Sequence, residues 1–184
     1  MDSRFWVATF IVIIIAAILP SLKNKAKISD ARKQDVFFQV PGLILLIAIL
    51  IVSFGNLNFP LYTIQSPLNI IGIMMFIIGL IISISAQVTI TRNYSWTLEI
   101  REGHTLVENG LYKYMRHPLY LGTFIRVIAI PIYASSLPGF LLGLLAIPVL
   151  NYRIRLEEKM LIEEFGEEYN RYKEHTLKLF PFIY

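Results

Sequence analysis

Long blocks of apolar residues divide this sequence, and they constrain its fold more than any other feature. Three blocks are clear, at Phe5–Leu19, Val36–Phe54 and Leu68–Val88. A helix needs about 20 predominantly apolar residues to cross the hydrocarbon core of a bilayer. Apolar residues make up 55% of the chain and charged residues only 16%, whereas soluble domains carry about 25% charged residues. The pattern predicts an all-α integral membrane protein.

A fourth apolar region, Leu119–Leu150, is interrupted by the stretch YASSLPG at Tyr133–Gly139. Its length suits a helical hairpin of two short spans, with the interruption as a turn at the far surface of the membrane. We therefore predict about five transmembrane helices in a single membrane-embedded domain that covers residues 1–184. Its parts are three N-terminal spans (1–90) and a cofactor-binding region (91–184) that holds the hairpin (119–150) and a helical tail (151–184).

The basic residues indicate how these spans are oriented. Apart from Arg4 and Arg126, the 17 Lys and Arg residues fall in the connection after the first span, in residues 92–116 or in the tail. The connection GNLNFPLYTIQSP and the turn YASSLP carry no charge. Because positively charged loops stay in the cytoplasm, we predict an N-terminus outside and a cytoplasmic tail. The net charge of +4 then reflects orientation in a bilayer rather than binding to nucleic acid.

The tail is predicted to form two helices. The stretch NYRIRLEEKMLIEEF ends near Gly166, and the shorter stretch EEYNRYKEH follows it. Arg153 and Glu157 share one face of the first helix by their i, i+4 spacing. They are either an ordinary surface pair or a site for a polar ligand that carries both signs, and the spacing leaves both interpretations open.

Arg116, His117 and Pro118 stand directly before the hairpin. Proline fits the first turn of a helix, and the free N–H groups of that turn can bind an anion. The alternative is that Arg116 and His117 only anchor a span at the lipid headgroups. Arg126 lies well inside the first arm, where a charge is costly, and is expected to face a cavity, a partner or the polar boundary. The pattern GFLLG at Gly139–Gly143 is expected to pack the two arms together.

The residue types also limit the chemistry. The chain has no Cys, which excludes disulfides, thiolate catalysis and Cys-ligated metals. Its three His residues show no metal-binding spacing, so no metal site is predicted. No G-x-G-x-x-G run follows a strand, and a Rossmann fold is therefore not expected.

The stretch EGHTLVENGLYKYMRHPLYLG (Glu102–Gly122), followed by RIRLEEKMLIEEFGEEYNRYKEHTLKLFPFIY, resembles the isoprenylcysteine carboxyl methyltransferase family. The shared pattern is H-x-L-V-x-x-G-x-Y-x-x-x-R-H-P-x-Y-x-G, then a charged helix and F-G-x-E-Y-x-x-Y. The resemblance covers about the last 90 residues, and the first two spans resemble nothing specific. It implies a membrane-embedded enzyme that moves a methyl group from S-adenosylmethionine to the C-terminal carboxylate of a prenylated cysteine, leaving S-adenosylhomocysteine.

The same resemblance assigns site residues by position. The catalytic residues that it implies are Arg153, Glu157 and Arg116, and it leaves open whether Arg116 contacts cofactor or substrate. A lipid-tailed substrate is expected to enter from the bilayer, among membrane lipids, while the cofactor enters from the cytoplasm. No metal or nucleic-acid partner is implied, and the oligomeric state is not specified. The implied cofactor-binding residues are His104, Thr105, Leu106, Val107, Tyr112, His117, Pro118, Leu119, Tyr120, Arg153 and Glu157.

Other activities stay open at this point. A carboxylate acceptor needs no general base, since free carboxyl groups titrate at about 3.3–4.3. A phospholipid or amine methyltransferase with the same cofactor site would need one, and Glu157 or His117 could serve. Membrane sterol reductases have a similar C-terminal region but bind a nicotinamide cofactor and are longer. A membrane scaffold without enzymatic activity is the remaining alternative.

Overall fold

The computed structural model describes residues 30–54, 67–90 and 105–179, and the described residues are mostly helical. The predicted first span, Phe5–Leu19, lies outside them. Within these ranges the one β-type pairing is an isolated parallel bridge between Met115 and Leu177, and the predicted all-α fold class is confirmed. The elements in chain order are α1 (Asp30–Phe54), α2 (Pro67–Ile90), a 3₁₀ turn (Gly110–Lys113), α3 (Pro118–Tyr133), α4 (Leu137–Leu144), α5 (Ala146–Phe165) and α6 (Glu167–His175).

Two described helical stretches are long and apolar enough to cross a membrane. They are Pro67–Ile90, which is α2, and Leu137–Phe165, which joins α4 and α5. The apolar stretches Gly42–Phe54 and Pro118–Tyr133 are shorter. The predicted hairpin is present as α3 and α4, and α2 matches the predicted third span. The predicted total of five spans is not confirmed by these helices.

The predicted start of the tail helix is wrong. The polar residues begin at Asn151, but the helix that carries them, α5, begins at Ala146. Leu145 keeps helical dihedral angles (φ −67°, ψ −12°), so the chain passes from α4 to α5 with only a short break. Pro148 falls in the first turn of α5, where its missing N–H costs no helical hydrogen bond. Arg153 is therefore on the same helix as the last apolar turn of the hairpin.

Helices α2 and α3 pack closely in antiparallel directions. A Cβ atom added at Gly122 would lie 2.6 Å from the carbonyl oxygen of Gly79, so the two backbones touch where both residues lack a side chain. At the other end of α3, the buried amide of Asn69 donates a hydrogen bond to the carbonyl of Tyr133. The N-terminus of α3 consequently lies beside the C-terminal end of α2, which sets the position of the site.

The turn between α3 and α4 is closed by a helix cap. The Ser136 hydroxyl accepts a hydrogen bond from the backbone N–H of Gly139 at 3.1 Å and satisfies one of the free donors of α4. Gly143 packs against Ile128 of α3, as the GFLLG pattern predicts. Gly139 lies against Ser53 of α1 as well as the first arm, so the pattern joins three helices rather than two.

Arg126 lies on the face of α3 that meets α2. Its Nε donates to the carbonyl of Gly122 at 3.3 Å, and its Nη2 donates to the Thr123 hydroxyl at 3.3 Å. Its side chain also lies against Gly79. The guanidinium thus donates to uncharged polar groups of its own helix, and its side chain faces a partner helix, one of the three environments expected for it.

Candidate functional site

The site forms at the N-terminus of α3, where that helix meets α5. His117 is the N-cap residue and Pro118 is the first helical residue, and both are buried. The cap makes no side-chain hydrogen bond to the helix. Since the first-turn N–H groups of Leu119 and Tyr120 have no acceptor within the helix, this end carries a positive partial charge that favours an anion.

Tyr120 and Arg153 are brought together across 33 positions of the sequence. The Arg153 Nε donates a hydrogen bond to the Tyr120 hydroxyl at 3.0 Å, and the guanidinium carbon lies 5.9 Å from the centre of the Tyr120 ring. The contact joins the first turn of α3 to α5 and combines a charge-assisted hydrogen bond with a cation–π contact. Two residues that the sequence resemblance names as cofactor-binding are therefore direct neighbours.

His117 and Glu157 complete this group. The ring centroids of His117 and Tyr120 are 5.8 Å apart, with the rings tilted by 56°. Glu157 lies one turn beyond Arg153 on α5. The Glu157 carboxylate and the Arg153 cation both interact with the Tyr120 hydroxyl, through their charges and through hydrogen bonds. The group thus presents a cation, a carboxylate, an aromatic face and free helix N–H groups at one place.

Glu158, the residue after Glu157, also contacts the start of α3. Its Oε1 atom lies 3.0 Å from the Arg116 Nε and 3.2 Å from the His117 Nε2, and its Oε2 lies 3.9 Å from the Lys178 Nζ. The i, i+4 spacing with Arg153 singles out Glu157 in the sequence, whereas no sequence signal indicates contacts for Glu158. The directions of the two glutamates differ by about 100° on the helix, so only the packing of α5 decides their roles.

Arg116 is directed towards the tail. Besides Glu158, its guanidinium donates from Nη1 to the carbonyl of Lys173 at 3.0 Å and to the carbonyl of Thr176. Both carbonyls belong to the last turn and end of α6, where a cation is favourable. Three of its hydrogen bonds are therefore made to the protein itself, and the prediction that Arg116 is catalytic remains untested.

The segment after α6 returns to the loop before α3. The Arg116 N–H donates to the Leu177 carbonyl at 2.8 Å, and the Leu177 N–H donates to the Tyr114 carbonyl at 3.0 Å. Lys178 reaches Asn151 of α5, with its Nζ 3.4 Å from the amide oxygen. The tail thereby holds together the loop, α5 and α6 around the start of α3.

Two tyrosines of α6 face the 3₁₀ turn and α5. The Tyr172 hydroxyl donates to the carbonyl of Tyr112 at 2.7 Å, which ties α6 to a predicted cofactor residue. Burial raises the pKa of Tyr172 well above its usual value, so the hydroxyl stays protonated and able to donate. Burial and the nearby carboxylates of Glu158 and Glu157 likewise raise the pKa of Tyr169, whose buried hydroxyl has no hydrogen-bond partner among the described residues.

The remaining predicted residues precede this group in the chain. His104 lies outside the described residues. Thr105 is exposed, whereas Leu106 and Val107 are half-buried in an irregular stretch before the 3₁₀ turn. In the part of the chain that the structure describes, no three His, Asp or Glu side chains are grouped so that they could hold a metal ion.

The chemistry of the group suits a small ligand with both charges. Arg153 and the N-terminus of α3 attract an anion, Glu157 accepts hydrogen bonds from an ammonium or hydroxyl group, and Tyr120 offers an aromatic face to a cation. The group lies where the first turn of α3 meets the polar half of α5.

Comparison with known proteins identifies a family to which most of these helices are similar in sequence. The model of the isoprenylcysteine carboxyl methyltransferase (ICMT) family matches residues 71–163, which run from α2 to the polar half of α5. This range includes the start of α3 and both glutamates.

Three relatives with the name protein-S-isoprenylcysteine O-methyltransferase are similar to this chain. That of Dictyostelium discoideum is 33% identical over 119 residues (62% of this chain and 49% of the relative). That of Homo sapiens is 32% identical over 119 residues (63% and 42%), and that of Saccharomyces cerevisiae is 30% identical over 134 residues (71% and 56%). The chain spans about half the length of the curated relatives that it matches.

A solved structure shares the fold. The eukaryotic intramembrane Ras methyltransferase ICMT superposes with a TM-score of 0.60 and 24% sequence identity, covering 92% of this chain and 60% of that one. The described helices therefore share the fold of that protein.

Proposed function

This chain belongs to the isoprenylcysteine carboxyl methyltransferase family, and we propose that it is a membrane enzyme that moves a methyl group from S-adenosylmethionine to the carboxylate of a lipid-tailed, isoprenylcysteine-like substrate. The observation that carries the proposal is the contact between Tyr120 and Arg153, with Glu157 beside it, at the free N-terminus of α3. Family membership supports the reaction type, and the contact supports the location.

The donor set of this group fits S-adenosylmethionine. The N-terminus of α3 and Arg153 suit the carboxylate of its amino-acid end, and Glu157 suits an ammonium or a ribose hydroxyl. Tyr120 and Tyr112 offer aromatic walls, and His104, Thr105, Leu106 and Val107 are proposed to line the adenosyl part. When bound, S-adenosylmethionine supplies an electrophilic methyl group on a sulfonium.

The residues of this chain then have to align and shield the reactants. A carboxylate acceptor is ionised at neutral pH and needs no base. Arg153 or Arg116 is proposed to orient it, with an interaction weak enough that the carboxylate remains nucleophilic. Placing two reactants in line can lower the barrier by about 7–11 kcal/mol. The lipid tail would stay in the bilayer beside α2 and α3, and the site would face the cytoplasm, with the N-terminus outside.

A binding and transfer assay on the purified full-length chain in nanodiscs tests this proposal. We expect S-adenosylhomocysteine to bind and to raise the thermal unfolding midpoint, because a ligand held only by the native state stabilises it. Labelled methyl groups from S-adenosylmethionine should appear on an S-prenylcysteine analogue. Transfer to phosphatidylethanolamine instead would show an amine methyltransferase, and binding of NADPH without S-adenosylhomocysteine would contradict the proposal.

A further inference from the structure

Glu158 contacts the residues that precede α3, whereas Arg153, on the same helix as Glu158, contacts Tyr120 in the first turn of α3. Its carboxylate is 14% exposed and faces the Arg116 guanidinium, which is 11% exposed. The same oxygen, Oε1, lies within hydrogen-bond distance of the buried His117 ring. Because both partners are largely removed from water, the interaction holds its geometry better than an ion pair on the surface does.

His117 lies beside Tyr120 at the start of α3. His117 is the N-cap of α3, and Tyr120 is three residues later, on the same face of the helix. The two rings are in contact at 5.8 Å, and the Tyr120 hydroxyl is held by the Arg153 Nε at 3.0 Å. A continuous series of contacts therefore runs from Glu158 through His117 and Tyr120 back to α5 at Arg153.

We propose that Glu158 is a positioning residue: it holds His117, and through it the Tyr120–Arg153 pair, in the geometry that binds the methyl donor. The adjacent glutamates then have separate tasks, with Glu157 facing the ligand and Glu158 orienting the residues around it. This inference rests on the proposed function, since it concerns the same site.

Binding of S-adenosylhomocysteine to the purified full-length protein in nanodiscs, measured by calorimetry, tests the proposal. Glu158→Gln keeps the shape of the side chain and removes its charge, and it should raise the Kd at least about tenfold. The matched control is Glu163→Gln on the same helix, whose carboxylate is 66% exposed and pairs only with Lys159 at 3.8 Å among the contacts seen here. The control should leave the Kd within about twofold.

A double-mutant cycle separates positioning from a purely structural role. In a Tyr120→Phe background the link to Arg153 is already broken, so Glu158→Gln should add no more than about twofold. Glu158→Asp, which keeps the charge, should recover part of the affinity. If Glu158→Gln lowers the unfolding midpoint but leaves the Kd unchanged, or acts equally in both backgrounds, Glu158 is not a positioning residue.

Two other outcomes are possible: Glu158→Gln does not fold, or the unmodified protein does not bind S-adenosylhomocysteine. If Glu158→Gln fails to fold, Glu158→Asp is measured in its place: it keeps the charge but shortens the side chain, and a Kd equal to that of the unmodified protein would contradict the proposal. If the unmodified protein does not bind S-adenosylhomocysteine, the proposed function fails before the role of Glu158 is tested. Failure of the two proposals is thus distinguishable.

Discussion

The Arg153 Nε donates a hydrogen bond to the Tyr120 hydroxyl at 3.0 Å, and its guanidinium lies over the Tyr120 ring. This contact joins the start of α3 to α5, and both residues lie within the range that the family model matches. Several expected outcomes follow from it and from the packing that supports it.

Tyr120→Phe keeps the aromatic ring and removes the hydroxyl that Arg153 contacts. A hydrogen bond to a charged group contributes about 1.5–3 kcal/mol, so we expect the Kd for S-adenosylhomocysteine to rise about tenfold or more. Calorimetry on the protein in nanodiscs measures this. Tyr114→Phe is the matched control, because the Tyr114 side chain is 63% exposed; an equal effect of both variants would show that the Tyr120 hydroxyl is not involved.

Arg153→Lys keeps the positive charge but loses the planar group that both donates to Tyr120 and lies over its ring. We expect transfer activity to fall at least tenfold, because the lost hydrogen bond contributes about 1.5 kcal/mol. Arg155→Lys, on the exposed side of α5, should retain full activity. Unchanged apparent affinities for both cofactor and acceptor in Arg153→Ala would mean that Arg153 has neither role.

Removal of the hydroxyl should change the free energy of unfolding differently for the two buried tyrosines of α6. Tyr172→Phe loses the hydrogen bond to the Tyr112 carbonyl and should lower the free energy of unfolding by about 1 kcal/mol. Tyr169→Phe removes a hydroxyl without a hydrogen-bond partner among the described residues and should be neutral or stabilising. Thermal unfolding without ligand measures both, and a larger loss for Tyr169→Phe would contradict the assignment.

Gly122→Ala should destabilise the protein by about 1–3 kcal/mol, because the added methyl group would force α3 away from the backbone of α2. Unfolding in a denaturing detergent, followed by circular dichroism, is a suitable measurement. Gly42→Ala is the control: nothing lies within 4 Å of its added Cβ, and alanine favours a helix by about 0.5–1 kcal/mol. Similar losses in both variants would refute the close packing of α2 and α3.

The boundary of α5 shows where sequence patterns were misleading. The change from apolar to charged residues at Asn151 marks a change of environment, whereas the helix itself starts at Ala146 because Pro148 is tolerated in its first turn. The end of α5 and the start of α6 were predictable, because the sequence has a glycine at position 166 and glycine readily ends a helix. In the structure Gly166 has a positive φ of 52°.

Arg116 and Glu158 illustrate the same limit within the site. Both residues lie in the stretches that resemble the family, but nothing in their spacing shows that Arg116 reaches Glu158 and the end of α6. These contacts join residues more than 40 positions apart, and loop geometry over such distances is set by packing rather than by local pattern.

The amino-acid sequence by itself determined that the chain is helical and membrane-embedded, which family it resembles, and which motif residues lie at the start of α3. The membrane-embedded helices follow from the length of the apolar blocks, the start of α3 follows from local helix signals, and the quoted motif carries the resemblance. Only the tertiary structure decided that Glu157 faces Tyr120 while Glu158 faces His117 and Arg116. Consecutive helical residues point about 100° apart, and the rotation of a helix about its axis is settled only by the surfaces packed against it.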